Sequence, residues 1–331
     1  MEDNLTQEAL HELNKTISDM GGMAAVKGLL TKATDNSKGF STRQSLDSKV
    51  MDFTKRKTPL FDMLPRVPVI NTIHQWDAIT AAGTGIASYA GPIDSVGVDT
   101  DVEIERSSEQ VRYYRTTTTV GQFTNALSRP ELQAQPTTDS KAVDKIKEGI
   151  EADILNGTAS GNNIYGIAQI IENKSPATNT YTLSTGLTAT TAFDEMQSRL
   201  VQQGGQASHF LFNAQDRISF KNLFTNQVHY NDPQTTNVYG YALQKYLSAF
   251  GEVDTLWDQF QSAKSGAPAA SEALVLDITS WALGEPIVNG ASGIASQELA
   301  KVGPKNTKLI NYYGLLQYSA SPWNGKISDI R

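Results

Sequence analysis

Residues 130–161 read PELQAQPTTDSKAVDKIKEGIEADILNGTASG, and this stretch decides the fold. Ala142, Ile146, Ile150 and Ile154 recur at four-residue spacing and form one apolar stripe, widened by Val143 and Leu155. That spacing predicts an amphipathic helix with one face for a core. Asp139 near its start complements the helix dipole, and Asn156-Gly157 is a stop signal. Gly149 costs about 1 kcal/mol relative to alanine in a helix interior. Either another element packs closely there or the helix simply tolerates it. Glu148, Glu151 and Asp153 read as solvated charge on or near the helix surface.

The chain before this helix is extended and cannot bury itself. Pro59, Pro65 and Pro68 punctuate its lead-in, and Ile73 to Trp76 and Val96 to Ile104 read as strands. In the second strand Val96, Val98, Val102 and Ile104 share one face and Asp99, Asp101, Glu103 and Glu105 the other, as side-chain alternation requires. Val111 to Val120, with Tyr113, Tyr114 and four consecutive threonines, reads as a further strand. A two-stranded ribbon of this kind is marginal alone in water and needs a surface to lie on. The acidic stripe is either solvated or met by cations of an adjacent subunit, and Arg112 and Arg115 on the return strand could also reach it within the chain.

After the helix the pattern is mixed α and β. Residues 162–174 suit a short helix or strand, and 191–203 a helix with Phe193, Met196, Leu200 and Val201 on one side. His209 to Phe212 is a short strand, and Asn213 can cap a helix over 214–224. Tyr239 to Trp257, Ala273 to Ile278, Ala282 to Val288 and Leu309 to Tyr318 read as strands, with turns at Asn289-Gly290 and Asn324-Gly325. Residues 5–31 suggest a helix weakened by Gly21-Gly22, and 34–58 an arm with little core of its own.

Composition narrows the function. The 331 residues contain no cysteine, which excludes disulfides, Cys-ligated zinc, iron–sulfur centres and thiol catalysis. The net charge of −7 argues against a protein held to DNA by phosphate neutralisation. The one basic cluster, Lys55-Arg56-Lys57, is a solvated loop or a nucleic-acid contact. No apolar run approaches the roughly 20 residues of a membrane span. Met20 to Leu30 contains Lys27, follows an acidic start and is not a signal peptide, so a soluble protein made in the cytoplasm is expected.

The search for catalytic chemistry is negative. His11-Glu12 lacks the second histidine of a zinc protease motif, Gly83-Thr84-Gly85 lacks the third glycine of a dinucleotide fingerprint, and no P-loop or G-x-S-x-G exists. Asp99, Asp101 and Glu103 have calcium-loop spacing without the glycine or distal glutamate of that loop. His74 beside Trp76 reads as a packing residue, and His209 near Asp216 lacks an activated nucleophile. No enzyme, cofactor or metal is expected.

The order of elements resembles the major capsid proteins of tailed bacteriophages with the Hong Kong 97-type fold. Thr58-Pro59-Leu60-Phe61-Asp62-Met63-Leu64 followed by Asn71-Thr72-Ile73-His74-Gln75-Trp76 resembles the lead-in to that family's extended loop. Residues 148–157 resemble the end of its spine helix, and Tyr312 to Tyr318 with Ser321-Pro322-Trp323-Asn324-Gly325 its late peripheral strand and tail. The resemblance implies an α+β fold with an N-terminal arm over 1–57, an extended β-loop over 58–130, a peripheral domain with a spine helix over 131–164, an axial domain over 165–280, and peripheral return strands with the tail over 281–331. It implies a structural shell protein that assembles as hexamers and pentamers of itself into an icosahedral head around double-stranded DNA. The implied place is the virion capsid, with assembly in the host cytoplasm. The implied partners are a portal and any scaffolding or cement proteins, with at most weak contact with DNA and none with a membrane.

Some members join an extended-loop lysine to an asparagine next door, and no lysine occurs here between Lys57 and Lys141. Others lose an N-terminal segment to a protease, and this chain begins at Met1. An encapsulin-type compartment shares the fold and is the alternative, and a β-rich hydrolase or glycan-binding protein is a more distant one. Inter-subunit contact is expected at Asp99, Asp101, Glu103, Glu105, Arg112 and Arg115.

Overall fold

In a computed structural model, the decisive stretch forms one helix over Ala134–Asn156. The structure describes residues 15, 52, 54–81, 102–128, 133–158, 162–184, 186–224, 244–261, 271–288, 292–301 and 303–330. Apart from Lys15, the expected helix over 5–31 lies outside them, as do the residues Asp99 and Asp101 and the turn at 289–290. In chain order the first elements are helix α1 (Pro59–Met63), strands β1 (Arg66–Val69), β2 (Ile73–Ala81), β3 (Glu103–Gln110) and β4 (Arg112–Gly121), and helices α2 (Gln122–Leu127), α3 (Ala134–Asn156) and α4 (Ile167–Lys174). Strand β5 (Thr180–Thr182), helix α5 (Thr191–Gln202), strand β6 (His209–Phe212) and helix α6 (Ala214–Asn222) follow. The last strands are β7 (Lys245–Ser248), β8 (Gly251–Trp257), β9 (Glu272–Leu276), β10 (Trp281–Pro286), β11 (Ala295–Glu298), β12 (Lys305–Tyr318) and β13 (Gly325–Ser328).

These strands make two sheets and a separate ribbon. The first sheet runs β1-β10-β12-β11, with β4 also paired to β12 over ten rungs from Lys305↔Gly121 to Gly314↔Arg112. The second runs β5-β13-β9-β6-β8-β7. The ribbon is β2 paired with β3 from Ile73↔Gln110 to Ala81↔Glu103, with an irregularity between Ile79 and Ala81. Its first strand runs well beyond Trp76, and its second begins at Glu103, so among the described residues the predicted strand over 96–104 is represented only by its end.

The spine helix α3 explains the first sheet. Ala142, Ile146, Ile150, Ile154 and Leu155 are all buried, in one cluster with Leu60, Leu283, Ile310, Tyr312 and Leu316. Burying such a face is what holds a helix against a sheet. Gly149 corrects the packing reading: it is exposed, and a Cβ there would meet nothing. At Gly157 the opposite holds, because a side chain would collide with the carbonyls of Asp153 and Ile164 where the chain turns off the helix. Asp139 lies beyond the first turn. It accepts from Thr118 Oγ1 at 2.7 Å and Gln135 Nε2 at 2.8 Å, and pairs with Lys308 at 2.9 Å, so it ties the helix to β4 and β12.

The second sheet has its own aromatic core. Phe193 and Met196 of α5 are buried with Phe210 and Phe212 of β6, Phe220 of α6 and Tyr246 of β7. Phe193 sits 5.0 Å from the Phe210 ring and 4.8 Å from Phe220. Val201, expected on the buried side of α5, is exposed instead. The Asn213 side chain caps α6 by accepting from Gln215 N at 3.1 Å, as expected.

Candidate assembly surfaces

The ribbon has two unlike faces. On one, Trp76 stands edge-on to Tyr318 at 5.1 Å, and His74 Nε2 lies 3.2 Å from Gln317 Oε1. These contacts seat the ribbon's root on β12. On the other face Ile79 and Ile104 are cross-strand partners, and they are 70% and 64% exposed. Ile73 on the same face is also exposed. Between them Arg106 donates to both carboxylate oxygens of Asp77, at 2.7 and 3.1 Å. That hydrogen bond holds the Asp77 carboxyl below the usual carboxylate range. Both partners are exposed, so the pair fixes cross-strand register more than it adds stability.

Glu103 and Glu105 are exposed on β3, with Glu105 opposite Ala78. Arg112 and Arg115 lie on β4, which pairs with β12. Arg115 is exposed, with its guanidinium 5.7 Å from the Tyr113 ring, and Tyr113 stacks on Tyr313 at 4.7 Å. The charge of Arg112 acts on Glu109, where it opposes the upward push of burial. Lys55 of the basic cluster approaches Asp144 at 3.7 Å, and Arg56 lies 5.6 Å from the Phe260 ring.

The root of the ribbon holds what the sequence reading missed. Pro59 does not continue an extended lead-in: it opens α1, where its fixed φ suits a first helical turn. The free amides of that turn are met by Glu151 of the spine helix. Leu60 N donates to Glu151 Oε1 at 2.8 Å and Phe61 N to Oε2 at 2.7 Å. Glu151 is therefore a fully buried bracket, not solvated charge, and Glu148 is buried as well. Asp153 is partly shielded and accepts from Tyr114 OH at 2.6 Å. Burial raises its carboxyl, against the hydrogen bond from Tyr114. Around α1, Arg66 pairs with Glu285 and donates to Phe61 O at 2.5 Å, and Tyr312 OH donates to Glu285 at 3.0 Å.

The positions of Glu151 and Glu148 were legible on a helical wheel. At 100° per residue Glu151 falls between Ile154 and Leu155, inside the widened stripe, and Glu148 falls beside Leu155. Lys326 of β13, also buried, pairs with Glu172 at 2.5 Å and Glu272 at 3.0 Å, and joins α4 to the second sheet. His209 corrects another expectation. The carboxylate it meets is Asp254, 3.8 Å away on β8, its Nδ1 lies 2.8 Å from Ser208 Oγ, and burial lowers the imidazole against the charge of Asp254.

A long spine helix across one sheet, a second sheet with its own core, and a ribbon projecting from between α1 and the spine define the shell-protein fold of the Hong Kong 97 type. Solved structures bear this out at the level of fold. The chain is similar to the capsid of a native GTA particle, with TM-score 0.64 and 12% identity over 90% of this chain and 99% of that one. It is similar to the SrpI encapsulin of Synechococcus elongatus, with TM-score 0.62 and 12% identity over 87% and 92%. A structure from Mycobacterium phage Bobi matches with TM-score 0.59 and 12% identity over 86% and 94%. No curated protein matches at the level of sequence.

The family itself is shown by sequence: the model of the SU10 major capsid protein matches residues 30–316, and the chain belongs to that family. It is a major capsid protein of a tailed-phage head, a structural component of the virion capsid and not an enzyme. Its place is a shell of many copies of itself.

Proposed function

We propose that the chain forms hexamers and pentamers in an icosahedral shell around double-stranded DNA, and that each ribbon lies across a neighbouring copy. The observation that carries this reading is the outward face of Ile73, Ile79 and Ile104. Exposed apolar side chains grouped on one face of a ribbon mark a contact surface. The arm corresponds to residues 1–57 and the extended loop to 58–130, while the peripheral domain combines α3 with the last strands and the axial domain spans 165–280. Asp99, Asp101, Glu103 and Glu105, with Arg112 and Arg115, are the candidate charged contacts between copies. Exposed pairs contribute only about 0–1 kcal/mol each, so their role is to set the angle of the ribbon. A portal and any scaffolding or cement proteins complete the partners. The net charge of −7 supports weak contact with packaged DNA.

The test is the double variant Ile79→Asp and Ile104→Asp. Its subunits fold and keep the wild-type circular dichroism, but sedimentation shows subunits or small oligomers in place of shells. Shells of normal yield and size from this variant would remove the ribbon face from assembly.

A further inference from the structure

The first sheet carries a polar socket at the end of β12 away from the ribbon. A cavity of about 150 Å³ lies between the start of α3 and the β11–β12 hairpin, with Gln135, Glu298, Leu299, Lys301, Asn306 and Lys308 in its walls. Gln135 is 7% exposed, and its Nε2 donates to Asp139 Oδ1 at 2.8 Å. That bond fixes the amide, so Oε1 is an acceptor. Gln135 Oε1 is buried and has no donor among the described residues, and the same holds for Asn306 Oδ1. Buried acceptors without donors are costly, so the socket calls for N–H groups. Lys308 does not answer them: it is paired with Asp139 at 2.9 Å and stands opposite Glu298 on β11. Apolar side chains surround the socket. Leu299 is exposed on its rim. Helix α2 is pinned beside it, with Gln122 N donating to Pro304 O at 3.0 Å and Gln135 N to Asn125 Oδ1 at 3.3 Å. That helix exposes Phe123 and Leu127, one turn apart on one face. We propose that this socket receives Arg106 from the ribbon of a second copy, with the exposed isoleucines of that ribbon resting on Phe123, Leu127 and Leu299.

This contact rests on the reading that the ribbon lies across a neighbouring copy, and it names what the ribbon meets there. On the outward face β2 contributes Ile73, Asp77 and Ile79, and β3 contributes Ile104 and Arg106. Arg106 is the one cation on that face among the described residues. Its Nε and Nη2 donate to Asp77, which leaves Nη1 for an acceptor elsewhere. The two patches match in kind. Each sets one carboxylate and one cation among apolar side chains: Asp77 and Arg106 on the ribbon, Glu298 and Lys301 at the socket. With Arg106 on the unmet oxygens, Asp77 is brought toward Lys301. Water meets these oxygens in a lone subunit, and a guanidinium replaces it with a charged, stronger donor. The chain's own ribbon does not reach. Arg106 lies opposite Asp77, next to Trp76, whose ring packs on Tyr318 at 5.1 Å. Lys308 at the socket precedes Tyr318 by ten residues of the same strand. At about 3.3 Å per residue that is roughly 30 Å, far beyond the length of an arginine side chain.

Two experiments on the full chain test this. Subunits carrying Ser108→Cys, an exposed site on the same face as Arg106, are loaded at one end of a short bis-maleimide and freed of excess reagent. They are then assembled with subunits carrying Leu299→Cys. The protein has no other thiol, so a chain dimer on a denaturing gel joins the ribbon of one copy to the socket of another. Dimers form as mixed shells assemble, and at least tenfold more slowly in unassembled mixtures. No dimer, with an Ile79→Cys thiol still protected by assembly, overturns the socket and leaves the ribbon reading standing. No dimer and no protection overturns both. The second experiment reads the threshold concentration for shell formation, to which each copy brings one ribbon and one socket. Arg106→Met and Gln135→Met, both checked for wild-type circular dichroism, each raise it about tenfold or more, as loss of a hydrogen bond from a charged donor does. The double variant needs about the larger of the two single values, because both changes break the same bond. Multiplied effects, about a hundredfold or more in the double variant, overturn the proposal, and so does an unchanged threshold in either single variant.

Discussion

Replacing Ile150 by alanine removes a side chain that is 0% exposed at the centre of the spine helix, within the cluster shared with Leu60, Trp281, Leu283, Tyr312 and Leu316. Three carbons leave the core, and at about 0.8 kcal/mol per methylene the lost transfer energy is about 2.4 kcal/mol. The cavity left behind adds to this, because sheet and helix are tied on both sides of it and relax only in part. Alanine's better helix propensity returns a few tenths of a kcal/mol. The net expectation is a loss of about 3 kcal/mol, within the roughly 2–5 kcal/mol found for such truncations. Urea unfolding of isolated subunits, followed by tryptophan fluorescence and circular dichroism, measures it. Val201→Ala, at an exposed position of α5, is the control and changes stability by less than about 0.5 kcal/mol. A loss below about 1 kcal/mol for Ile150→Ala would mean that this helix does not carry the core, and the assignment of the spine would fail with it.

Two further outcomes are expected. Glu103→Lys with Glu105→Lys leaves subunit stability within about 0.5 kcal/mol of wild type, because both side chains are exposed, but lowers the yield of shells; normal shells would leave these carboxylates as solvated charge. Shells boiled in denaturant and reductant run as single chains on gels, because residues 58–140 offer no lysine to a cross-link; an inter-chain isopeptide found by mass spectrometry would refute this.

The spine helix was legible because four apolar residues at four-residue spacing admit one reading, and its Asn156-Gly157 stop agreed, while Asp139 did not mark its start. The β4 strand was legible from Tyr113, Tyr114 and the threonine run, and the α6 cap from Asn213. The failures at charged residues share one cause: each was read by its own polarity and not by its neighbours. Glu151 is buried because Pro59-Leu60-Phe61 presents unmet amides to it from 91 residues away, and such a partner has no local trace. Asp216 follows His209 closely in sequence, but parallel pairing of β6 with β8 sets Asp254 directly beside that histidine. Ribbon residues resisted reading differently: the apolar residues of the strand predicted over 96–104 alternate as a half-buried strand should, yet Val102 and Ile104 are exposed within the chain.

The absence of cysteine allows the central claim to be tested at a single atom. A chain carrying Ile79→Cys has one thiol, on the outward face of the ribbon, and its rate of reaction with a soluble thiol reagent can be compared between isolated subunits and assembled shells. If the ribbon lies across a neighbouring copy, the thiol reacts quickly in the subunit and at least tenfold more slowly in the shell. Equal rates in the two states would show that the ribbon face stays open to solvent after assembly, and would contradict the account.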